Sequence, residues 1–389
     1  MVAGPIMPTL IHWVEDGAER AAPWWSEKEA LPPKQVIIGD DSLSADKAIR
    51  LAGQGFSILW RGDFQNARHL LQAMARRIDR RNRRPGGVSG GRPQEIFHKY
   101  RQSRLQRART LAAVLIPFED GYAIPLRRAP DVADALAQVR GQVDGGFITP
   151  LSDVLGFVSA FEWRKKGVEV SALTGLQTRR IHPHYGVFPP TRQEYVGLVA
   201  DMPFPALMAS DNVAFDIGTG TGLLAALLVR RGVARVVATD VAPRAIACAR
   251  ENFERLGVSG SIDLMQADLF PPGKAGLIVC NPPWIPAQPS SSLETAIYDP
   301  QNRMLYGFLA GLRDHLIPGG EGWLVLSDLA EHLGLRTREQ LLAVIAESGL
   351  KVLERSDCHP VHRKAGDATN PLHFARSVEI TSLWRLACT

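Results

Sequence analysis

Apolar residues in the second half of this chain fall into short runs of strand length that alternate with helical patterns. Val213-Ala-Phe-Asp216-Ile is an apolar run into a glycine turn, and Arg235-Val-Val-Ala-Thr-Asp240 is a second run ending in an acid. A third strand is expected over 262–270, a fourth at Leu277-Ile-Val-Cys280 and a fifth at Trp323-Leu-Val-Leu326. Between them, 243–256 has the stripe of an amphipathic helix, with proline at its start and Gly257 past its end. Another helix is expected over 304–316, closed by Pro318-Gly319-Gly320, and a third over 337–348. Strands over 351–354 and 377–384, the latter of alternating pattern, complete the series. Strand and helix in alternation predict an α/β fold with a doubly wound, mostly parallel sheet.

The first half has a different texture. Gln35-Val-Ile-Ile38 and Phe56-Ser-Ile-Leu-Trp60 read as strands flanking a helix over 45–52 that ends at Gly53. Phe64, Ala67, Leu70, Leu71, Met74 and Ile78 recur at helical spacing, so 63–84 is expected to be one amphipathic helix. A glycine-rich stretch over 85–93 interrupts the pattern as a loop or hinge, and a further helix follows over 94–114. At 389 residues the chain exceeds an α/β core of about 200, so two domains are expected, over 1–180 and 181–389. The N-terminal one reads as α/β or mainly helical.

Charge divides the same two halves. The net charge is +5, yet the segment 61–109 carries 14 Lys or Arg against three acids, so the remainder is acidic. Arg80, Arg81, Arg83 and Arg84 flank the glycine-rich stretch, and Arg101 and Arg104 continue on the next helix. Guanidinium forks presented by helices suit phosphate, which makes these six the candidate contacts to RNA. The bland alternative is a solvated helix face, or arginines paired with acids. Four cysteines lie scattered without C-x-x-C spacing, as expected of free thiols in a reducing compartment. Cys358-His359-Pro-Val-His362 lacks a second pair at ligand spacing, so no metal site is expected. No charged-then-apolar leader opens the chain and no apolar run approaches about 18 residues, so a cytosolic location without membrane contact is expected.

Two motifs carry the chemistry. The first is the turn Asp216-Ile-Gly218-Thr219-Gly220-Thr-Gly222-Leu223. A dinucleotide fingerprint would be G-x-G-x-x-G, with a third glycine where Leu223 stands. Glycines at 218, 220 and 222 allow positive φ and let a ligand lie directly on the backbone. Asp240, closing the next strand, is placed to accept hydrogen bonds from a ribose diol. The second motif is Asn281-Pro282-Pro283-Trp284, directly after the fourth strand. An amino nitrogen conjugated to a ring or carbonyl is a poor nucleophile. Two acceptors holding its two N–H groups let it pyramidalise toward an electrophile. The Asn281 side-chain carbonyl and the Pro282 backbone carbonyl are such a pair, Pro282 and Pro283 fix φ, and Trp284 offers a face for a planar group.

In this order the two motifs resemble class I S-adenosylmethionine (SAM)-dependent methyltransferases with an Asn-Pro-Pro-aromatic loop. The small-domain RNA N-methyltransferases and the release-factor glutamine methyltransferases are the families concerned. The resemblance covers roughly 185–384, about half the chain, and includes Gly186-Val-Phe-Pro-Pro-Thr191-Arg-Gln-Glu194-Tyr195, similar to the segment over the cofactor's methionine end. It implies a Rossmann-like sheet with an antiparallel last strand and SAM as cofactor. It implies cofactor contacts from Asp216, Gly218, Thr219, Gly220, Gly222, Asp240, Asn281 and, beside the adenine amino group, Asp268. Asn281, Pro282, Pro283 and Trp284 would carry catalysis. The expected substrate is an exocyclic base amine of ribosomal or transfer RNA, and Trp284, where the glutamine family has tyrosine, tilts toward a larger ring. The alternative is a glutamine amide of a release factor or ribosomal protein, and a small-molecule amine ranks third.

Overall fold

The computed structural model describes residues 9–82, 91–210, 212–360 and 367–389. They fall into two compact units, one within Met1–Ser89 and His98–Glu162, the other within Gly90–Phe97 and Trp163–Thr389.

In the first unit β1 (Leu10–Glu15) and β2 (Ala18–Pro23) form an antiparallel hairpin, turned at Asp16 and Gly17, both at positive φ. A second sheet has the order β3 (Gln35–Gly39), β4 (Phe56–Trp60), β5 (Val114–Phe118) and β6 (Phe147–Pro150). Its first three strands are parallel and β6 is antiparallel. Helix α1 (Ala45–Gly53) joins β3 to β4, and α2 (Phe64–Asn82) and α3 (Pro93–Ala112) separate β4 from β5. Then α4 (Ala133–Arg140) precedes β6 and α5 (Leu151–Lys166) follows it. Of the two expectations for the N-terminal half, α/β is the one found. The apolar stripe of α2 is buried at Phe64, Ala67, Leu70, Leu71 and Met74, as its spacing requires. The hairpin, β5 and β6 had no distinct signal, because strands of four to six residues are too short to show a period, and β5 and β6 are buried throughout and so do not alternate.

The second unit opens with the two-residue strands β7 (Val168–Glu169) and β8 (Arg180–Ile181), then α6 (Glu194–Asp201). The chain then winds through β9 (Val213–Ile217), α7 (Leu223–Arg230), β10 (Arg235–Asp240), α8 (Pro243–Leu256), β11 (Ile262–Gln266) and β12 (Ala275–Cys280). It continues as α9 (Arg303–His315), β13 (Leu316–Ser327), α10 (Leu329–His332), α11 (Arg338–Glu347), β14 (Leu350–Cys358), α12 (His373–Arg376) and β15 (Thr381–Cys388). The sheet order is β11-β10-β9-β12-β13-β15-β14, with β15 antiparallel to both its neighbours. Alternation along each central strand divides the core in two. Ala214, Leu277, Val279, Trp323 and Val325 pack on one face, and Phe215, Ile217, Ile278, Leu324 and Leu326 on the other.

Several boundaries differ from the sequence expectation: β11 ends at Gln266 where a strand to 270 is expected, and β14 runs on to Cys358 past the expected end at 354. Strand β13 begins at Leu316, so Pro318-Gly319-Gly320 lies inside it instead of ending a helix. A Cβ on Gly320 would stand 3.0 Å from the Gly276 carbonyl, and the register shifts between Ala275 and Leu277 on the facing strand. Here Gly320 serves a close backbone approach, and Gly319 supplies a positive φ. The last strand starts at Thr381, leaving 377–380 outside it.

The strand order places the first reversal between β9 and β12. In an open α/β sheet that is where a crevice forms outside the carboxyl ends of the strands. Ile217 pairs with both Thr239 and Cys280, so the glycine turn, Asp240 and Asn281 all emerge at one edge. Gly222 caps α7 at φ +84°, and a Cβ there would meet the Phe253 ring at 2.4 Å. Gly222→Ala is therefore expected to cost about 2–4 kcal/mol from left-handed strain and overpacking. Urea denaturation checks this, and an unchanged midpoint would refute the packing role.

Candidate active site

A cavity of about 460 Å³ lies at that reversal, and its floor is the glycine turn. Gly218, Gly220 and Gly222 all have positive φ, and a Cβ on Gly218 would collide with the Met304 methyl at 2.3 Å. Asp216 closes the turn from behind. Its Oδ2 accepts hydrogen bonds from the Thr219 hydroxyl at 2.6 Å and the Ala225 N–H at 3.0 Å, satisfying a donor in the first turn of α7. The carboxylate is 1% exposed. Burial pushes its pKa up to about 6, against the pull of those two donors, and the nearby Asp240 charge adds to the rise.

Asp240 is tied at both oxygens, with Oδ2 accepting from the Gly220 N–H at 3.0 Å and Oδ1 from the Ala242 N–H at 2.9 Å. Burial raises its pKa and the backbone donors lower it. Each carboxylate oxygen has a second lone pair, so acceptor capacity is left for a diol. Two acids on the cavity wall favour a cationic ligand and disfavour a pyrophosphate at the same turn. Asp268 also lines the cavity, where its carboxylate is paired with Arg303, and both side chains are more than half exposed.

Asn281 and Pro283 line the cavity as well, whereas Gly222, Pro282 and Trp284 are not among its lining residues. Trp284 Nε1 donates to Asn281 Oδ1 at 2.9 Å. The Arg192 guanidinium lies over the indole, 4.7 Å from the ring centroid. The ring itself packs against both faces of the core. Trp284 therefore stands behind Asn281 as a support, and the open stacking face expected of it is not what its surroundings provide. Arg192 in turn donates through Nε to Glu194 at 2.7 Å and through Nη2 to the fully buried Glu379 at 2.9 Å.

Sequence reading overlooked part of the cavity wall. Met304, Arg303 and Gly307 come from the start of α9, and Thr295 and Ala296 from the segment before it. That segment is pinned by Asp299, which accepts from the Met304 and Leu305 N–H groups at 3.0 and 3.1 Å. Nothing periodic announces it. Phe188 and Tyr195, the aromatic residues of the wall, belong to the 186–195 stretch that the sequence singles out.

The basic residues lie in the first unit. Arg80 and Arg81 are exposed at the end of α2 and Arg104 is exposed on α3, with Arg101 half-buried. Arg107 pairs with Asp79 at 2.7 Å and Arg77 with Asp46 at 3.1 Å, so part of the arginine surplus is neutralised locally. Arg83 and Arg84 lie outside the described residues. Among the described residues no three His, Cys, Asp or Glu side chains gather as metal ligands, and no helix is long and apolar enough to cross a membrane.

Strand order, glycine turn, acid after the second strand and Asn-Pro-Pro loop after the fourth give the second unit the Rossmann-like fold of class I methyltransferases. Residues 198–344 match the family model described as methyltransferase small domain, a match that supports SAM as cofactor. The chain is 38% identical over 134 residues to the release factor glutamine methyltransferase of Cereibacter sphaeroides, covering 34% of this chain and 43% of that protein. It is 32% identical over 149 residues to the release factor glutamine methyltransferase of Moorella thermoacetica, covering 33% of this chain and 53% of the relative. It is 44% identical over 72 residues to the ribosomal protein L11 methyltransferase of Pelotomaculum thermopropionicum, covering 18% and 23% of the two chains. The chain thus spans about half or less of each relative.

The Asp216 carboxyl has a testable signature. Its folded pKa of about 6 lies above the ordinary 3.8, so between those values the folded state binds more protons than the unfolded. Its contribution to stability must fall as pH rises from about 4 to 6 and then level off, a loss of up to about 3 kcal/mol. Denaturant titrations across that range should show the falling limb, and Asp216→Asn should flatten it. An identical slope in the variant would refute the assignment.

Proposed function

We propose that this chain transfers a methyl group from SAM to the planar NH₂ of a protein carboxamide, in the manner of a glutamine N-methyltransferase. The observation that carries the reading is Asn281, held at the cavity wall beside the glycine turn with its side-chain carbonyl fixed in place. Bound in the cavity, SAM supplies an electrophilic methyl on its sulfonium. Asp216 and Asp240 favour that cation and accept from its polar ends. Asn281 Oδ1 and the Pro282 carbonyl each accept one N–H of the acceptor amide, turning the nitrogen lone pair toward the methyl carbon. As the N–C bond formed, the methyl–sulfonium bond would break to release S-adenosylhomocysteine, and the amide nitrogen would give up one proton to solvent water. Rate enhancement comes from position and preorganised acceptors.

Two observations favour an amide over a base. The loop's tryptophan has its N–H engaged and a guanidinium over its ring, which leaves it poorly suited to stack a nucleobase. The relatives are named for methylating a release-factor glutamine and ribosomal protein L11. A second reading, methylation of an exocyclic amine of RNA, is favoured by the exposed Arg80, Arg81 and Arg104.

Asn281→Ala should lower turnover by about 10²–10³ while leaving affinity for S-adenosylhomocysteine within about twofold, the pattern of a group acting on the transition state. Calorimetry and single-batch methyl transfer measure the two quantities. Loss of ligand affinity with full turnover at saturating SAM would refute the role. The acceptor is identified by incubating the protein with tritiated SAM and cell extract, then digesting portions with ribonuclease or protease. Label that survives ribonuclease and is released by protease is expected. Label released by ribonuclease alone would establish the RNA reading instead.

A further inference from the structure

We propose that Arg192 and Trp284 form a positioning relay that sets which end of the Asn281 side-chain amide faces its substrate partner. The inference rests on the reading that Asn281 accepts a hydrogen bond from the amino group to be methylated.

An asparagine amide is nearly symmetric in shape, and its carbonyl and amino ends exchange by a half-turn about one bond. For catalysis only one orientation is useful, the one presenting Oδ1 as an acceptor. The indole of Trp284 can only donate. With Nε1 at 2.9 Å from Oδ1, the flipped amide would set donor against donor. A residue able to donate or accept, such as tyrosine, would tolerate either orientation. Trp284 therefore fixes which end of the amide it meets.

The indole must itself be held, and Arg192 does this. Its guanidinium lies over the ring, 4.7 Å from the centroid, a cation–π contact that favours this placement of the indole. The guanidinium is anchored at two points by carboxylates far apart in sequence. Glu194 begins α6, and Glu379, just before β15, is itself bound by the Ser327 hydroxyl at 2.6 Å where β13 ends. The chain of contacts thus runs from the sheet through Glu379, Arg192 and Trp284 to Asn281. Arg192 is absent from the cavity wall, so it acts through Trp284 and touches no ligand. Both glutamates keep a buried oxygen without a hydrogen-bond partner, and Arg192 is the cation against which both are set. Only the last step, from Trp284 Nε1 to Asn281 Oδ1, aims a donor at the group it orients; the earlier ones hold Arg192 and the indole in place.

The test uses the whole chain in two measurements. In the first, the protein is ¹⁵N-labelled at its eight tryptophans, and the indole N–H signal missing from Trp284→Phe is assigned to Trp284. Asn281→Ala should move that signal upfield, because its acceptor is gone. An unmoved signal would overturn the relay. In the second, transfer from tritiated SAM into cell extract is compared for wild type, Asn281→Ala, Trp284→Phe, Arg192→Lys and the two doubles with Asn281→Ala. Trp284→Phe and Arg192→Lys should each lose about 10- to 100-fold in turnover, as expected for a misplaced catalytic group, with S-adenosylhomocysteine affinity kept. In the Asn281→Ala background neither should lose more, since there is no amide left to orient. Further loss in the doubles, or full turnover in both singles, would overturn the relay while leaving Asn281's own role standing. Full turnover by Asn281→Ala would instead overturn the site reading. Should Trp284→Phe fail to bind S-adenosylhomocysteine, Arg192→Lys, which keeps the charge beside both glutamates, carries the second measurement.

Discussion

The catalytic unit is organised around one buried carboxylate. Asp216 ends the central strand, and a single oxygen gathers the Thr219 hydroxyl and the Ala225 N–H. Strand, glycine turn and helix are thereby locked in one geometry. Burying that charge is unfavourable, which is why its pKa rises, and two short hydrogen bonds offset part of the cost. What remains is a negative potential at the floor of the cavity, reinforced by Asp240 at the end of the adjacent strand. The glycines follow from the same constraint, since the turn passes too close to Met304 and Phe253 for side chains at 218 and 222.

The opposite wall is built on a different principle. The residues 281–284 leave β12 at its carboxyl end, where two prolines limit the backbone but leave the Asn281 side chain free to rotate. Contacts from distant segments remove that freedom. Trp284 engages the amide, and Arg192 engages Trp284 from a segment that precedes the sheet. Buried carboxylates anchor the arginine, so the loop inherits the rigidity of the sheet core. One wall thus carries two acids whose pKa burial raises, and the other is held by a hydrogen bond and a guanidinium–indole contact.

The first unit contributes a separate α/β sheet and a basic helical surface. Its surplus is smaller in effect than in count, because Arg77, Arg107 and Arg128 are paired with Asp46, Asp79 and Asp63. Exposed arginines beyond those pairs give the surface its sign, and that sign suits an anionic partner, whether a nucleic acid or an acidic protein face.

Much of the catalytic unit was legible in the sequence because its strands are buried on both faces and read as continuous apolar runs bounded by turn residues. The glycine turn and Asp240 could be placed from spacing alone, since each follows a strand directly. The start of β13 could not, because Gly320 serves a backbone approach visible only once β12 lies alongside. Trp284 illustrates the deeper limit. Its position beside Asn281 is local and was read correctly, but its surroundings depend on Arg192 and, through it, on Glu379, a residue 187 positions from that arginine. Likewise Met304 and Thr295 reach the cavity only because the sheet order returns α9 to the reversal between β9 and β12. By itself the sequence determined the elements, the backbone turn and the residues whose chemistry depends on a neighbour in the chain. Only the tertiary structure decided which side chains are free to meet a substrate and which are spent holding others, because that depends on contacts between segments that no period or spacing encodes.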